Sequence, residues 1–242
     1  MISSRSKWLV ILVVMCVPSL AFGRMITDDF EYADQAAFEA AWVKAGGGNI
    51  LSDTTPLGTS KGLLTNTSNT YAVNAKDYGD PENGTVGIDI YDAGGADFLE
   101  FYVVNDDVGG LLGIGITASS NYQVRIIGND KYGDGWFNTD ALVARSIGKH
   151  TFAIEWAESG LGGFYIDGNK VQNFGDNTAG DFLSRGFDLI QLGHASANSG
   201  SPLVAHSIDN LSIIPEPATA VTLLLSGGLS LMLSICKRTR RR

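Results

Sequence analysis

Several short segments alternate apolar residues with polar or small ones, and this period of two most constrains how the chain can fold. The clearest alternations span residues 86–90, 122–126 and 152–156, and a longer aromatic-rich run spans 98–104. Successive side chains of a strand point to opposite faces, so each such segment predicts a strand with one buried face. Asp167-Gly168, between apolar runs, is a two-residue hairpin signal. Together with runs at 187–192 and 208–213, the pattern predicts an all-β antiparallel sandwich.

One helix is expected near the start of this region. Asp34 can cap a segment from Gln35 to Trp42, in which Phe38 and Trp42 lie four apart on one face. No internal repeat or second hydrophobic core is evident. The sequence therefore predicts one β-sandwich domain over residues 24–213.

The charge of this region argues against nucleic acid as a partner. Residues 24–214 carry 10 Lys or Arg and 25 Asp or Glu, a net charge near −15, against −9 for all 242 residues. An acidic domain repels phosphate backbones. Both cysteines, Cys16 and Cys236, lie in the apolar end segments, so the domain has neither a disulfide nor a thiolate metal site.

The first 23 residues have the parts of a secretory signal peptide. Arg5 and Lys7 precede an apolar run over 8–17 that is short for a membrane span. Ala21 and Gly23 then place small residues before a cut at Arg24. Export through signal peptidase is the expectation.

The C-terminus, residues 214–242, has three parts in a fixed order. The triplet Pro215-Glu216-Pro217 is followed by an uncharged, mostly apolar segment over 218–236 and a basic tail over 237–242. Nineteen residues form a helix of about 28 Å, close to the hydrocarbon thickness of a bilayer. The basic residues favour the cytoplasmic side and leave the domain outside; they are Lys237, Arg238, Arg240, Arg241 and Arg242.

These three parts, behind a signal peptide, resemble the PEP-CTERM sorting signal of Gram-negative bacteria. The resemblance implies an exosortase as partner, which removes the tail after transient anchoring in the inner membrane. It also implies a final place at the cell surface or in an extracellular, biofilm-type matrix. The alternative is a plain single-span anchor with a stop-transfer cluster.

A second resemblance covers most of residues 26–213. The opening Asp28-Asp29-Phe30-Glu31, the strand-like segments 148–156 and 164–168, and the close Ile208-Asp209-Asn210-Leu211 are similar to the concanavalin/laminin-G type of jelly roll. That family implies binding of glycans or protein ligands, often with calcium. Other members are glycosidases.

Catalytic carboxylates are not evident. Laminarinase-type enzymes of this fold carry Glu-x-Asp-x-x-Glu or a close variant on one strand, which places the acids on one face. No such motif occurs here, and we expect Glu100, the Asp89/Asp92 pair and Glu155 to be solvent-facing strand residues. His150, His194 and His206 lack close ligand spacing, and we expect them on the surface or in turns. No catalytic residue is therefore assigned.

The loop 129–137 is the candidate ligand site. Asp130 and Asp134 could hold a hard cation such as Ca²⁺, and Trp136 could stack on a sugar ring. The alternative is an acidic hairpin tip with Trp136 turned into the core. The leading hypothesis is a non-catalytic glycan- or matrix-binding module; a polysaccharide-active glycosidase or lyase and a purely structural coat protein are the alternatives.

Overall fold

The structure, a computed structural model, describes residues 25–58, 61–65, 72–95, 98–107, 109–128, 135–156, 162–174, 186–194 and 205–215. Ile26–Ile214 forms one compact unit. The predicted signal peptide, membrane span and basic tail lie outside the described residues, as do Glu216 and Pro217. Within the described part, no helix is both long and apolar enough to cross a membrane.

The strands of the described residues form two antiparallel sheets that enclose the core. The strands of the first sheet are β1 (Ile26–Asp28), β3 (Ile50–Ser52), β4 (Gly62–Leu64), β6 (Gly84–Asp92), β11 (Gly148–Trp156), β12 (Gly163–Ile166), β13 (Asn169–Asn173) and β15 (Ser207–Pro215). Their order in the sheet is β13-β12-β11-β6-β15-β4-β3, with β1 also paired to β15.

The strands of the second sheet are β2 (Val43–Gly46), β5 (Ala72–Glu82), β7 (Leu99–Asn105), β8 (Gly110–Ile116), β9 (Gln123–Ile127), β10 (Trp136–Asn138) and β14 (Phe187–His194). Their order in the sheet is β10-β9-β8-β7-β14-β5-β2, which places β7 at its centre. The all-β sandwich predicted from the sequence is confirmed.

The core fills the space between the two sheets, as the alternation requires. Phe152, Ile154 and Trp156 of β11 are fully buried, in agreement with the predicted inward stripe. Antiparallel neighbours on one face pack together, so these side chains meet Val86, Ile88 and their neighbours on β6. Asp167 and Gly168 form the predicted β12–β13 turn, and both have positive φ, at 52° and 76°.

The predicted helix is present as α1 (Gln35–Ala41). Asp34 caps it, because its side chain accepts a hydrogen bond from the Ala37 backbone nitrogen at 2.8 Å. Phe38 and Trp42 are buried together beside Phe30, with ring centroids 5.7–6.4 Å apart. The helix therefore attaches its aromatic face to the core.

Candidate functional site

The outer face of the second sheet carries a row of polar and aromatic side chains across its middle strands. Register places Gln191, Tyr102, Gly113, Arg125 and Trp136 opposite one another on β14, β7, β8, β9 and β10. Directly paired residues share a face. Because Phe101, Ile114 and Val124 of the same strands point into the core, this row lies on the other face of the sheet. Arg125, Trp136 and Gln191 are partly exposed there, whereas Tyr102 is only 2% exposed.

Two aromatic rings lie against the glycines of β8. A Cβ on Gly113 would come within 2.5 Å of the Tyr102 ring, and one on Gly115 within 3.1 Å of the Trp136 ring. Real Cβ contacts are longer than the first of these distances, so glycine is what lets the Tyr102 ring approach the strand. The two ring centroids are 5.8 Å apart.

Arg125 and Glu100 add charge to this surface. Arg125 Nη1 donates to the Tyr102 hydroxyl at 3.3 Å. Glu100 precedes Tyr102 by two residues on β7 and shares its face, between Gly115 and Gly193 of the neighbouring strands. Burial raises the pKa of Tyr102, and the negative charge of Glu100 raises it further, so the hydroxyl stays protonated near neutral pH. We call Glu100, Tyr102, Arg125, Trp136 and Gln191 the aromatic face.

This two-sheet arrangement matches solved structures at low sequence identity. The chain is similar to a β-glucanase of Bacillus licheniformis, with 17% identity over 80% of this chain and 99% of that one and a TM-score of 0.54. It is also similar to a laminarinase from Flavobacterium sp. UMI-01, with 14% identity, coverages of 79% and 100% and a TM-score of 0.53. Cip1, a cellulose induced protein, gives 16% identity, coverages of 78% and 96% and a TM-score of 0.52. No family model and no curated protein matches the chain.

At these identities the likeness establishes the fold. The sandwich is a concanavalin-like jelly roll, as the second sequence resemblance implied. No family evidence supports the resemblance of the tail to a PEP-CTERM signal, and that assignment stays a proposal.

The central strand lacks the paired acids of a glycosidase of this fold. The outward positions of β7 are Glu100, Tyr102 and Val104, so the alternate positions supply one carboxylate. Both retaining and inverting mechanisms use a pair. The outward positions of β7 therefore do not supply such a pair.

Two expectations for acidic residues were wrong. Glu100 is fully buried and Asp92 is 1% exposed, whereas both were expected to face solvent. Glu100 lies on the central strand, whose seven residues are all buried, and Asp92 is paired with Arg145. Glu155 is on the outer face of the first sheet, as expected, where it accepts from Tyr165 and Lys170.

Trp136 is half-buried in β10 on the outer face of the second sheet, so it is not turned into the core. Its role in stacking on a sugar stays a prediction. Asp130 and Asp134 lie outside the described residues. Their role as Ca²⁺ ligands therefore stays a prediction. Among described residues no group of three or more His, Cys, Asp or Glu is arranged for a metal ion.

Sequence reasoning missed Tyr102, Arg125 and Gln191. The alternation over 122–126 marks Arg125 as outward-facing, but only strand register brings it into one row with Tyr102 and Gln191. The histidine expectation was also wrong for His206, which is fully buried immediately before β15. His150 lies in β11 with a side chain 13% exposed.

Proposed function

We propose that this is an exported surface or extracellular-matrix protein whose aromatic face binds a polysaccharide. The observation that carries the proposal is the partly exposed ring of Trp136, which lies against Gly115 of β8. The buried Tyr102 ring packs against it, with ring centroids 5.8 Å apart. Carbohydrate sites combine flat apolar surfaces with a few placed polar groups. Arg125 and Gln191 supply hydrogen-bond donors in the same row as the rings.

The solved structures of the same fold support this choice of ligand class. They include proteins named as a β-glucanase, a laminarinase and a cellulose induced protein. Binding without glycoside cleavage is favoured because the outward positions of β7 supply a single acid. The second candidate, a polysaccharide-active enzyme, is supported by the β-glucanase and the laminarinase of the same fold. Glu100 lies on the same face of β7 but is fully buried.

Export and sorting complete the proposal and rest on the sequence of the two ends. Signal peptidase would remove residues 1–23, and an exosortase would act at Pro215-Glu216-Pro217. The protein would pass through the inner membrane on its way to the surface or matrix.

Truncating Trp136 tests the binding proposal. The purified protein and its Trp136→Ala variant are titrated by calorimetry with laminarin and with mixed-linkage β-glucan. We expect at least about a tenfold loss of affinity, about 1.4 kcal/mol, because buried aromatic anchors dominate such contacts. The melting temperature should change little, since Trp136 lies outside the core.

Tyr91→Ala is the matched control, because Tyr91 is a half-buried aromatic on the outer face of the opposite sheet. It should bind as the parent does. Equal affinity of the Trp136 variant and the parent would place the glycan site elsewhere. If the parent protein binds neither laminarin nor mixed-linkage β-glucan, the structural coat protein becomes the better hypothesis.

A further inference from the structure

A serine, a histidine and an aspartate form a hydrogen-bonded chain at one end of the sandwich, away from the aromatic face. Ser146 Oγ is 3.1 Å from His150 Nε2. His150 Nδ1 is 2.8 Å from Asp167 Oδ2. This is the order of groups found in nucleophilic serine sites: nucleophile, base, and a carboxylate that orients the base.

The fold holds the carboxylate in place. Asp167 is the first residue of the β12–β13 turn, and its backbone nitrogen donates to the Thr151 carbonyl at 2.9 Å. The Thr151 backbone nitrogen in turn donates to Asp167 Oδ1 at 2.8 Å. One carboxylate oxygen is thus fixed by the neighbouring strand, which leaves the other directed at His150.

The carboxylate also determines which nitrogen of His150 carries the proton. Asp167 Oδ2 accepts, so Nδ1 is the protonated nitrogen and Nε2 presents a lone pair to the Ser146 hydroxyl. The Ser146 carbonyl oxygen is 3.0 Å from the same Nε2. Because a carbonyl only accepts, it can bond to Nε2 only after that atom has taken the Ser146 proton during the reaction.

Tyr122 packs against this arrangement from the core side. Its ring meets His150 edge-on at a centroid distance of 5.4 Å, and its hydroxyl donates to the Ser146 carbonyl at 3.2 Å. Burial raises the pKa of Tyr122 to about 12, so the hydroxyl keeps its proton. The base and the nucleophile are therefore both held by contacts with a buried residue.

Ser146 opens onto a cleft of about 410 Å³, which we call the serine cleft. Asp92, Ser119, Arg145 and Ile147 are among the residues that line it with Ser146. The lining is polar and apolar in nearly equal parts, and the volume lies in the range of small-molecule sites. The Arg145 guanidinium in this lining is paired with Asp92 and so fixes the wall of the cleft.

We propose that Ser146 is the nucleophile of an ester hydrolase, with His150 as general base and Asp167 as a positioning residue. The substrate class is an ester of a small acyl group with a polyhydroxylated alcohol, whose hydroxyl groups and apolar ring faces suit a cleft of mixed lining. The choice of an O-acylated sugar as that ester rests on the proposed glycan binding, whereas the role of Ser146 does not.

The reaction balances with water as the only co-reactant. Ser146 Oγ bonds to the ester carbonyl carbon while its proton passes to His150 Nε2. The bond from that carbon to the alcohol oxygen breaks, and the alcohol leaves with the proton from Nε2. Water then attacks the acyl-serine and gives a proton to Nε2; the carboxylic acid departs as Ser146 Oγ regains that proton.

The test uses a biotinylated fluorophosphonate as the probe and p-nitrophenyl acetate as the ester. Tandem mass spectrometry of the labelled purified protein should place the phosphonyl adduct on Ser146. Ser146→Ala and His150→Gln should lose label and lower ester turnover by at least about 100-fold, the usual scale of base-assisted catalysis. Asp167→Asn should lower kcat with KM retained, which loss of a merely structural contact would not produce.

Ser52→Ala is the control, because Ser52 lies on edge strand β3, four strands from β11. It should label and turn over as the parent does. The adduct site is read on the parent protein, so it does not depend on any variant folding. An adduct absent from Ser146, or Ser146→Ala with parental turnover, would overturn the proposal. Neither outcome bears on polysaccharide binding, which the Trp136 titration tests separately.

Discussion

Asp28 shows how one buried carboxylate can organise the start of the domain. Its Oδ2 accepts from the Tyr32 hydroxyl at 2.7 Å, and from Trp42 Nε1 and Lys76 Nζ at 3.0 Å each. Burial alone would raise its pKa, but these donors hold the pKa of Asp28 below its ordinary value. Asp28 is the first residue of the Asp28-Asp29-Phe30-Glu31 segment, which carried part of the family resemblance. These contacts show that Asp28 holds the start of the domain together.

Trp156 offers the plainest test of the core at the scale of one residue. It is fully buried, and its ring centroid lies 6.1 Å from that of Phe187 in the opposite sheet. Trp156→Ala should lower the free energy of unfolding by about 3–5 kcal/mol, because a cavity replaces a large aromatic. Urea unfolding followed by circular dichroism measures this. Val43→Ala, at a side chain 71% exposed, should stay within about 0.5 kcal/mol of the parent.

At the scale of elements, the buried pair Asp92–Arg145 joins the end of β6 to the segment between β10 and β11. Arg145 Nε and Nη2 donate to the two oxygens of Asp92 at 3.1 and 3.0 Å, and Nη1 donates to the Thr117 carbonyl at 2.9 Å. The Gly94 backbone nitrogen also donates to Asp92 at 2.8 Å. Three connections that border the serine cleft are thus held by one carboxylate and one guanidinium.

This pair should make the protein sensitive to acid. Burial would raise the pKa of Asp92, but the hydrogen bonds and charge of Arg145 outweigh it and hold the pKa below its ordinary value of 3.8. A lowered folded-state pKa gives stability that is present above 3.8 and lost as pH falls below that value. Asp92→Asn should cost about 3–5 kcal/mol at pH 7, because it leaves Arg145 without its partner.

Unfolding free energies at pH 7 and pH 3 check this expectation. The difference between the parent and Asp92→Asn should shrink at pH 3, where Asp92 begins to take up a proton. Asp53→Asn, at an exposed position, serves as the control for loss of an acidic residue. A constant difference between parent and variant at both pH values would show that the Asp92 charge does not stabilise the fold.

Some elements could be predicted from the sequence because their pattern is local. Alternation identified β6, β9 and β11, and the Asp167-Gly168 turn identified the β12–β13 hairpin. Strands β2–β4 and β10 are three or four residues long, too short to show a period. All seven residues of β7 are buried. Because a charged residue in a strand normally faces solvent, the sequence alone could not show that Glu100 is buried. The Ser146–His150–Asp167 chain needs the β11–β12 pairing, which no local pattern specifies.

At the scale of the whole molecule, the two outer faces of the sandwich differ in chemistry. The first sheet carries ion pairs, among them Asp89–Lys149 and Glu155–Lys170. The second sheet carries the aromatic face. Tyr91 and Tyr165 also lie on the outer face of the first sheet, but Glu155 and Lys170 contact the Tyr165 side chain there. On the second sheet the partly exposed Trp136 ring is not covered by an ion pair among the described residues. This asymmetry is why the glycan site is proposed on the second sheet.

The fate of the whole chain depends on the C-terminal segment, and its sequence gives a testable order of events. The basic residues over 237–242 should halt translocation, because several like charges cross the hydrocarbon only at high cost. The span 218–236 should then hold the protein at the outer face of the inner membrane. Each proline disfavours helix at the residue before it, so Pro215-Glu216-Pro217 should be presented as extended backbone for cleavage.

Replacing Pro215 and Pro217 by alanine should let a helix extend through this triplet and hide the backbone from a processing enzyme. Uncleaved precursor should then build up in the inner membrane of a host that has an exosortase. Neutral replacements of the five basic residues are the contrasting variant, since they should weaken retention and orientation and leave the triplet intact. Immunoblots of fractionated cells measure the size and place of each form, in the exosortase host and in one lacking the enzyme. A parent chain that keeps its full tail in both hosts would show that the segment is a permanent anchor, because a sorting signal must be removed where its enzyme is present.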